Sequence, residues 1–380
     1  MDRRRFVASL ASMATLAALP ALTYAVPKSG RYDRILILIE LKGGNDGLNT
    51  LIPYADPEYK RLRPSLAIAR ERVIPLSESA GMHPALASFK PLWDGGELAW
   101  VQGLGYPEPN LSHFRSIEIW DSASASQEYL SDGWLARQFK QTPPPARFAA
   151  EGVSLATDDL GPLAGARAVS LTDPTQFVQR AHLVRESAKP ANGALSHILK
   201  VSGDIRSAAE GLNTQAEFKA VFPRHRFGQA CQAAARIAAG KNVAVIRISH
   251  AGFDMHANQL NTHERLLREL TEGVTALRAA LAELGLWQQS LIMSYAEFGR
   301  RAQENGNGGS DHGTAAAHFV LGGSIRGGLF GQTPSLSHLE GGNLIHSVDF
   351  RRLYATLIER WWGVDSKPVL GGRFAPLGFV

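Results

Sequence analysis

The chain has 380 residues, 44% of them hydrophobic and 20% charged, with a formal net charge of +5. That length and balance exclude a small disulfide scaffold and a disordered polyelectrolyte, and they provide for a large buried core. Three of the 40 basic residues are Arg3, Arg4 and Arg5, so part of the excess charge is terminal and points to no nucleic-acid partner.

Residues 1–25 have the layout of an export signal: charged Arg3, Arg4 and Arg5, an uncharged run rich in Ala and Leu, and small residues Thr23 and Ala25 at its end. The arginines followed by Phe6 and Val7 match a twin-arginine address, which the Tat translocase reads on folded proteins. Cleavage after Ala25 and a periplasmic, extracellular or envelope-associated destination are therefore expected. The run is interrupted by Ser9, Ser12, Thr15 and Pro20 and falls short of the ~20 apolar residues that a span requires, so no stable membrane span is expected. The only cysteine is Cys231, which rules out an intrachain disulfide. That is natural for a chain folded before export.

The remaining residues, 26–380, read as a single α/β domain. Apolar runs at 35–41, 98–104, 242–248, 290–296 and 317–323 have the length and β-branched content of strands. Their apolarity is continuous rather than alternating, which predicts strands covered on both faces, as in a mostly parallel central sheet between two helical layers. A helix is expected over 227–239. A second is expected from Asn261, with Glu264 completing a capping box and Leu267, Leu270, Val274, Leu277, Leu281 and Leu284 at helical spacing before Gly285. A third runs from Asp349 to Trp362. The stretch 140–226, with Pro143, Pro144 and Pro145 and no strand rhythm, reads as an insertion or cap, partly helical around 192–212.

Ligands in open α/β sheets bind beyond the carboxyl ends of the strands. The first run is followed by Gly43, Gly44, Asn45 and Asp46, the third by Asp254 and His256, and the fourth by Glu297 and Arg300. Asp311 and His312 come shortly before the last. Carboxylates and imidazoles on converging loops are what a divalent metal site requires, with zinc, manganese or calcium as one or two ions. In extended backbone Asp254 and His256 point the same way. Taken singly, Asp46 also suits a glycine-rich turn, Asp254 a helix cap, and Asp311 with His312 a solvated loop.

Ser112 stands at the start of a helix that follows the second run, where the helix dipole and free N–H groups favour an attacking alkoxide and an anionic group. The alternative is an ordinary N-cap. Ser122 and Ser124, at the far end of that helix, are weaker nucleophile candidates. Arg115 and Arg300 have the geometry to hold phosphate or sulfate, and His83 is a further residue within reach of the pocket.

The segments GGNDGLNTLIPY (43–54), PNLSHFRS (109–116), GFDMHANQ (252–259), SYAEFGR (294–300) and SDHG (310–313), together with the signal, resemble an uncharacterised family of Tat-exported bacterial proteins. That family carries a domain of unknown function and is classed with the alkaline phosphatase and sulfatase superfamily. The resemblance implies an alkaline-phosphatase-like three-layer sandwich with one or two divalent metals at strand ends. It likens Asp46 to the acid after the first strand and Ser112 to the nucleophile. Asp254 and His256 then resemble one metal pair, Glu297 the later acid and His312 the final histidine. The pattern departs from the superfamily at Phe298, where a ligand of a second metal is missing, and at Ser112, which is not the cysteine of a typical sulfatase. The implied activity is metal-dependent hydrolysis of a small or polymeric anionic phosphate or sulfate ester. The competing reading is a non-enzymatic envelope protein that keeps the fold with a vestigial or structural metal site.

Overall fold

The computed structural model describes residues 30–172 and 216–380. The signal at 1–25 and the helix expected at 192–212 lie outside them. The strands of the main sheet are, in chain order, β1 (Ile35–Lys42), β2 (Leu98–Gly105), β3 (Gly152–Leu155), β4 (Ala168–Leu171), β5 (Val245–Ala251), β6 (Ser290–Tyr295), β7 (Ala316–Gly322), β8 (Gly328–Phe330) and β9 (Val348–Asp349). They order as β8-β2-β7-β6-β1-β5-β3-β4, with β9 also pairing β2. Among the described residues only β7 runs antiparallel to its neighbours β2 and β6; every other pairing described in this sheet is parallel.

The continuous apolar runs are explained by what covers them. In β1 the side chains of Ile35, Ile37, Ile39 and Leu41 enter one buried cluster and those of Leu36 and Leu38 another on the opposite face. A two-residue period therefore feeds two cores at once. The first core is closed by α4 (Arg226–Ala239) and α5 (Gln259–Glu283), the second by the short helices α2 (His113–Ser122), α3 (Trp134–Gln141) and α6 (Phe350–Thr356). The last of these continues as a π turn at Leu357–Trp361. A short helix, α1 (Gly47–Thr50), follows the glycine turn after β1. The result is a mixed, mostly parallel sheet with helices on both faces.

Three details differ from the sequence expectation. The strand expected at 242–248 begins three residues later, because Val243 and Ala244 belong to the approach from α4. The helix expected from Asn261 starts at Gln259 behind Asn258, a left-handed residue with φ 50° and no side-chain cap bond. Glu264 makes no capping box and instead pairs with Arg268 and Arg72. The described parts of the expected insertion at 140–226 contain β3 and β4, which extend the main sheet beyond β5. At four residues each they are too short to show a period among polar neighbours. Among the described residues no helix is long and apolar enough to cross a membrane.

Candidate metal centre

The loops after β1, β5 and β6 converge where the sheet ends. Gly43 and Gly44, with φ of 115° and 78°, turn the chain sharply after β1. A side chain at Gly43 would collide with the backbone nitrogen of Asp254. The glycine thus lets the β5 loop close onto the β1 loop, and Phe253 N–H donates to the Lys42 carbonyl at 3.1 Å to hold it there.

Asp254 is the hub. Its Oδ1 lies 3.0 Å from His256 Nε2 and 3.2 Å from His312 Nε2, and its Oδ2 lies 3.4 Å from His113 Nε2. The ligand atoms of His113, Asp254 and His312 all fall within 4.8 Å of one another. The outer nitrogens of two of these imidazoles are committed elsewhere. His113 Nδ1 meets Glu297 Oε1 at 2.8 Å, and His312 Nδ1 meets the Leu111 carbonyl at 2.8 Å. Each Nε2 is thereby presented inward, the arrangement by which buried partners orient metal-ligating histidines. Glu297, 3% exposed, also accepts the Gly43 N–H at 2.9 and 3.1 Å. His256 Nδ1 continues to Asp311 Oδ1 at 3.2 Å, which Asn305 Nδ2 holds at 3.1 Å.

The electrostatics follow from these contacts. Against the partial burial that raises it, the Arg300 guanidinium at 2.7 Å and the His312 imidazole hold the Asp254 carboxyl down at about 2. The Glu297 hydrogen bond outweighs burial and raises His113 above the ordinary imidazole value. Two imidazoles and an ionised carboxylate converging on one point fit zinc or manganese better than calcium, which prefers six or more oxygens. Phe298 packs on both rings, its centroid 4.9 Å from His113 and 4.5 Å from His312, and offers no ligand atom.

Of the residues expected at the site, Asp254, His256, Glu297, Asp311 and His312 are brought together. Asp46 stands apart. Its carboxylate is fully buried, pairs with Arg63 Nη1 at 2.5 Å, accepts from Gln259, and caps α1 through Leu48 N–H and Asn49 N–H. All its lone pairs are spent on protein, so the turn-shaping alternative describes it. Arg115 faces the carbonyls of Ser126 and Glu128 and stacks on Tyr129 with 3.9 Å between guanidinium carbon and ring centroid. Arg300, 2% exposed, binds the carbonyls of Gly43, Gly44, Phe253 and Ser310 besides Asp254. Both arginines brace loops, so neither is free to hold the anionic substrate that the sequence suggests for them. His83 is buried, caps a turn through Ala85 N–H at 3.0 Å, and packs on His263.

Ser112 is exposed at the N-cap of α2, and its hydroxyl makes no cap hydrogen bond. It is flanked by Leu111, whose carbonyl meets His312, and by His113 itself. Sequence reasoning passed over His113 because Ser112 beside it carried the more familiar chemistry. A histidine one residue into a helix that follows a buried strand was the available signal. Also missed was an ionic group beside the centre, in which Arg247 meets Glu40 at 2.9 Å and Asp159 at 2.7 Å. Opposite charges inside the two most apolar runs were its signature, since β1 and β5 pair Leu38 with Arg247 and Glu40 with Ser249.

A cleft of about 750 Å³ opens from His113, Asp254 and Glu297 along α2. No curated protein matches the chain at a significant level. Among solved structures it is similar to the lipoteichoic acid synthase LtaP from Listeria monocytogenes, at 10% identity and TM-score 0.38, covering 79% of this chain and 66% of that one. It is also similar to the C-terminal periplasmic domain of EcEptC from Escherichia coli in complex with Zn, at 9% identity and TM-score 0.42, covering 81% and 78%. A third is a protein in the alkaline phosphatase superfamily from Vibrio parahaemolyticus, at 10% identity and TM-score 0.43, covering 98% and 78%. A family pattern matches residues 99–371, which hold α2, the β5 loop, Glu297 and His312, and by that match the chain belongs to the family described as protein of unknown function DUF1501.

Proposed function

We propose that this protein is an exported, metal-dependent hydrolase of phosphate or sulfate esters, with one divalent ion held by His113, Asp254 and His312. The observation that carries the reading is the convergence of those three ligand atoms within 4.8 Å at the mouth of a substrate-sized cleft. Bound there, the ion would supply Lewis-acid polarisation of the ester oxygen. The remaining work falls to the chain. Glu297 and the Leu111 carbonyl fix the two imidazoles in the tautomer that presents Nε2 inward. Arg300 anchors Asp254 and keeps it ionised. The Ser112 hydroxyl, unengaged at the N-terminus of a ten-residue helix, would attack phosphorus or sulfur, with the first-turn N–H groups stabilising the anionic oxygens. His256 and Asp311, on the solvent side of Asp254, would carry the Ser112 proton to the departing ester oxygen, and water would then release the phosphate or sulfate from Ser112.

The test combines metal content and turnover. Protein purified without chelator should carry zinc or manganese and should hydrolyse at least one member of a panel of aryl phosphates, phosphodiesters and sulfates. His312→Ala should lose both properties. Full metal content in His312→Ala would overturn the ligand assignment and favour the non-enzymatic envelope protein.

A further inference from the structure

The cleft beside the metal centre has two unlike ends. One face of α2, carrying His113, Ile117 and Asp121 at successive helical turns, forms one wall. Eight residues of helix separate His113 from Asp121, a rise of about 12 Å. The intervening surface offers apolar Phe114, 84% exposed, with Leu130 and Leu160, beside the polar Glu118 and Ser131. The far end is walled by Glu40, Asp121 and Asp159.

That end holds one more carboxyl than it has basic partners. Arg247 and Lys42 are the basic groups paired there, Arg247 with Glu40 and Asp159, and Lys42 with Asp159 at 3.6 Å. Three carboxyls face two cations. Glu40 is 1% exposed yet lines the cleft, and its hydrogen bonds from Arg247 and Ser249 both go to Oε2. Among the described residues Oε1 has no partner. Among the described residues Asp121 has one hydrogen bond, from the Tyr295 hydroxyl at 3.4 Å, and no cation in contact. Burial, with Glu40 and Asp159 adding their negative charge, raises its carboxyl well above the usual range despite Arg247. A carboxyl so placed gains from a cation that its own chain does not supply.

Building on the hydrolase reading, we infer that the cleft receives the organic arm of the ester and that Glu40, Asp121 and Asp159 bind an ammonium group on that arm. The substrate class is thus an aminated ester, with its cation about 12 Å from the reacting centre and an aliphatic or sugar spacer lying on Phe114 and Leu130. This narrows the anionic substrate expected from sequence to one that is zwitterionic.

The experiment is calorimetric binding to the zinc-loaded protein, with three phosphonates that no hydrolase turns over: 8-aminooctyl, 8-hydroxyoctyl and 2-aminoethyl. The aminooctyl compound should bind at least about tenfold more tightly than its hydroxyl isostere, as a charge-assisted contact provides, while the short amine should show no such gain. Asp121→Asn should bring the two octyl compounds to similar affinity. Equal affinities in the native protein overturn the inference without recourse to any variant. So does uptake of a second metal ion that Asp121→Asn abolishes, which would assign the acidic end to a cation of another kind. Absence of zinc from the purified protein is a separate failure that falls on the metal centre, because amine preference is then read by the same titrations on the unloaded chain. No preference there also overturns the inference.

Discussion

The clearest quantitative test of the site's boundary is Asp46. Among the described residues its carboxylate is the only anion contacting Arg63, which is itself fully buried and otherwise bonded to the carbonyls of Ala302 and Arg301 and to Asn49. Asp46→Asn preserves shape and N-capping ability but strands the guanidinium without a counter-charge, which costs about 3–5 kcal/mol. Asp46→Ala also removes the acceptor for Leu48 N–H and Asn49 N–H, adding about 1 kcal/mol. Replacing both partners, as in Asp46→Asn with Arg63→Met, should recover much of the loss, since no charge is then left buried. The assay is urea unfolding followed by the fluorescence of the seven tryptophans, with metal content measured on the folded variants. Metal should be unchanged throughout, because Asp46 lies outside the cluster. If Asp46→Asn unfolds within about 0.5 kcal/mol of the native protein while its metal content collapses, the carboxylate is a ligand and its structural role is refuted.

Four further outcomes are expected. Glu297→Gln should weaken zinc or manganese binding roughly 10–100-fold in a chelator competition by loosening His113, and an unchanged affinity would remove Glu297 from the centre. Ser112→Ala should abolish turnover yet keep its metal and melt normally, since the hydroxyl makes no cap bond; retained turnover would transfer the attack to water. Burial lowers His250 and His263 to about 4 and His83 and His318 to about 3, so these side chains stay neutral in the fold while the unfolded chain takes up protons near pH 6.5. Each should therefore forfeit roughly 2 kcal/mol as pH falls from neutrality to 5, and a urea midpoint that stays flat over that range would contradict it. Replacing Arg3 and Arg4 by lysine should leave full-length protein in the cytoplasm, and undiminished export would point to the general secretory route.

The parallel sheet was legible because its cause is local. A run such as 35–41 is apolar at every position only if both faces are covered, and β1 does feed two cores. The loops that follow such strands must lie at one edge, so the neighbourhood of Asp254, His256, Glu297 and His312 is legible in the sequence alone. What a side chain does there is decided by partners distant in sequence. Asp46 is claimed by Arg63 and Gln259, the latter 213 residues away, and Arg300 by carbonyls more than 250 residues away. His113 presents its Nε2 to Asp254 because Glu297, 184 residues on, holds its ring. The strands β3 and β4 form because a sheet edge beside β5 is available to pair with them. Residue type and period set which groups can reach the strand ends. Register, glycine-permitted loop closure and competition among buried polar partners decide which of them remain free to bind.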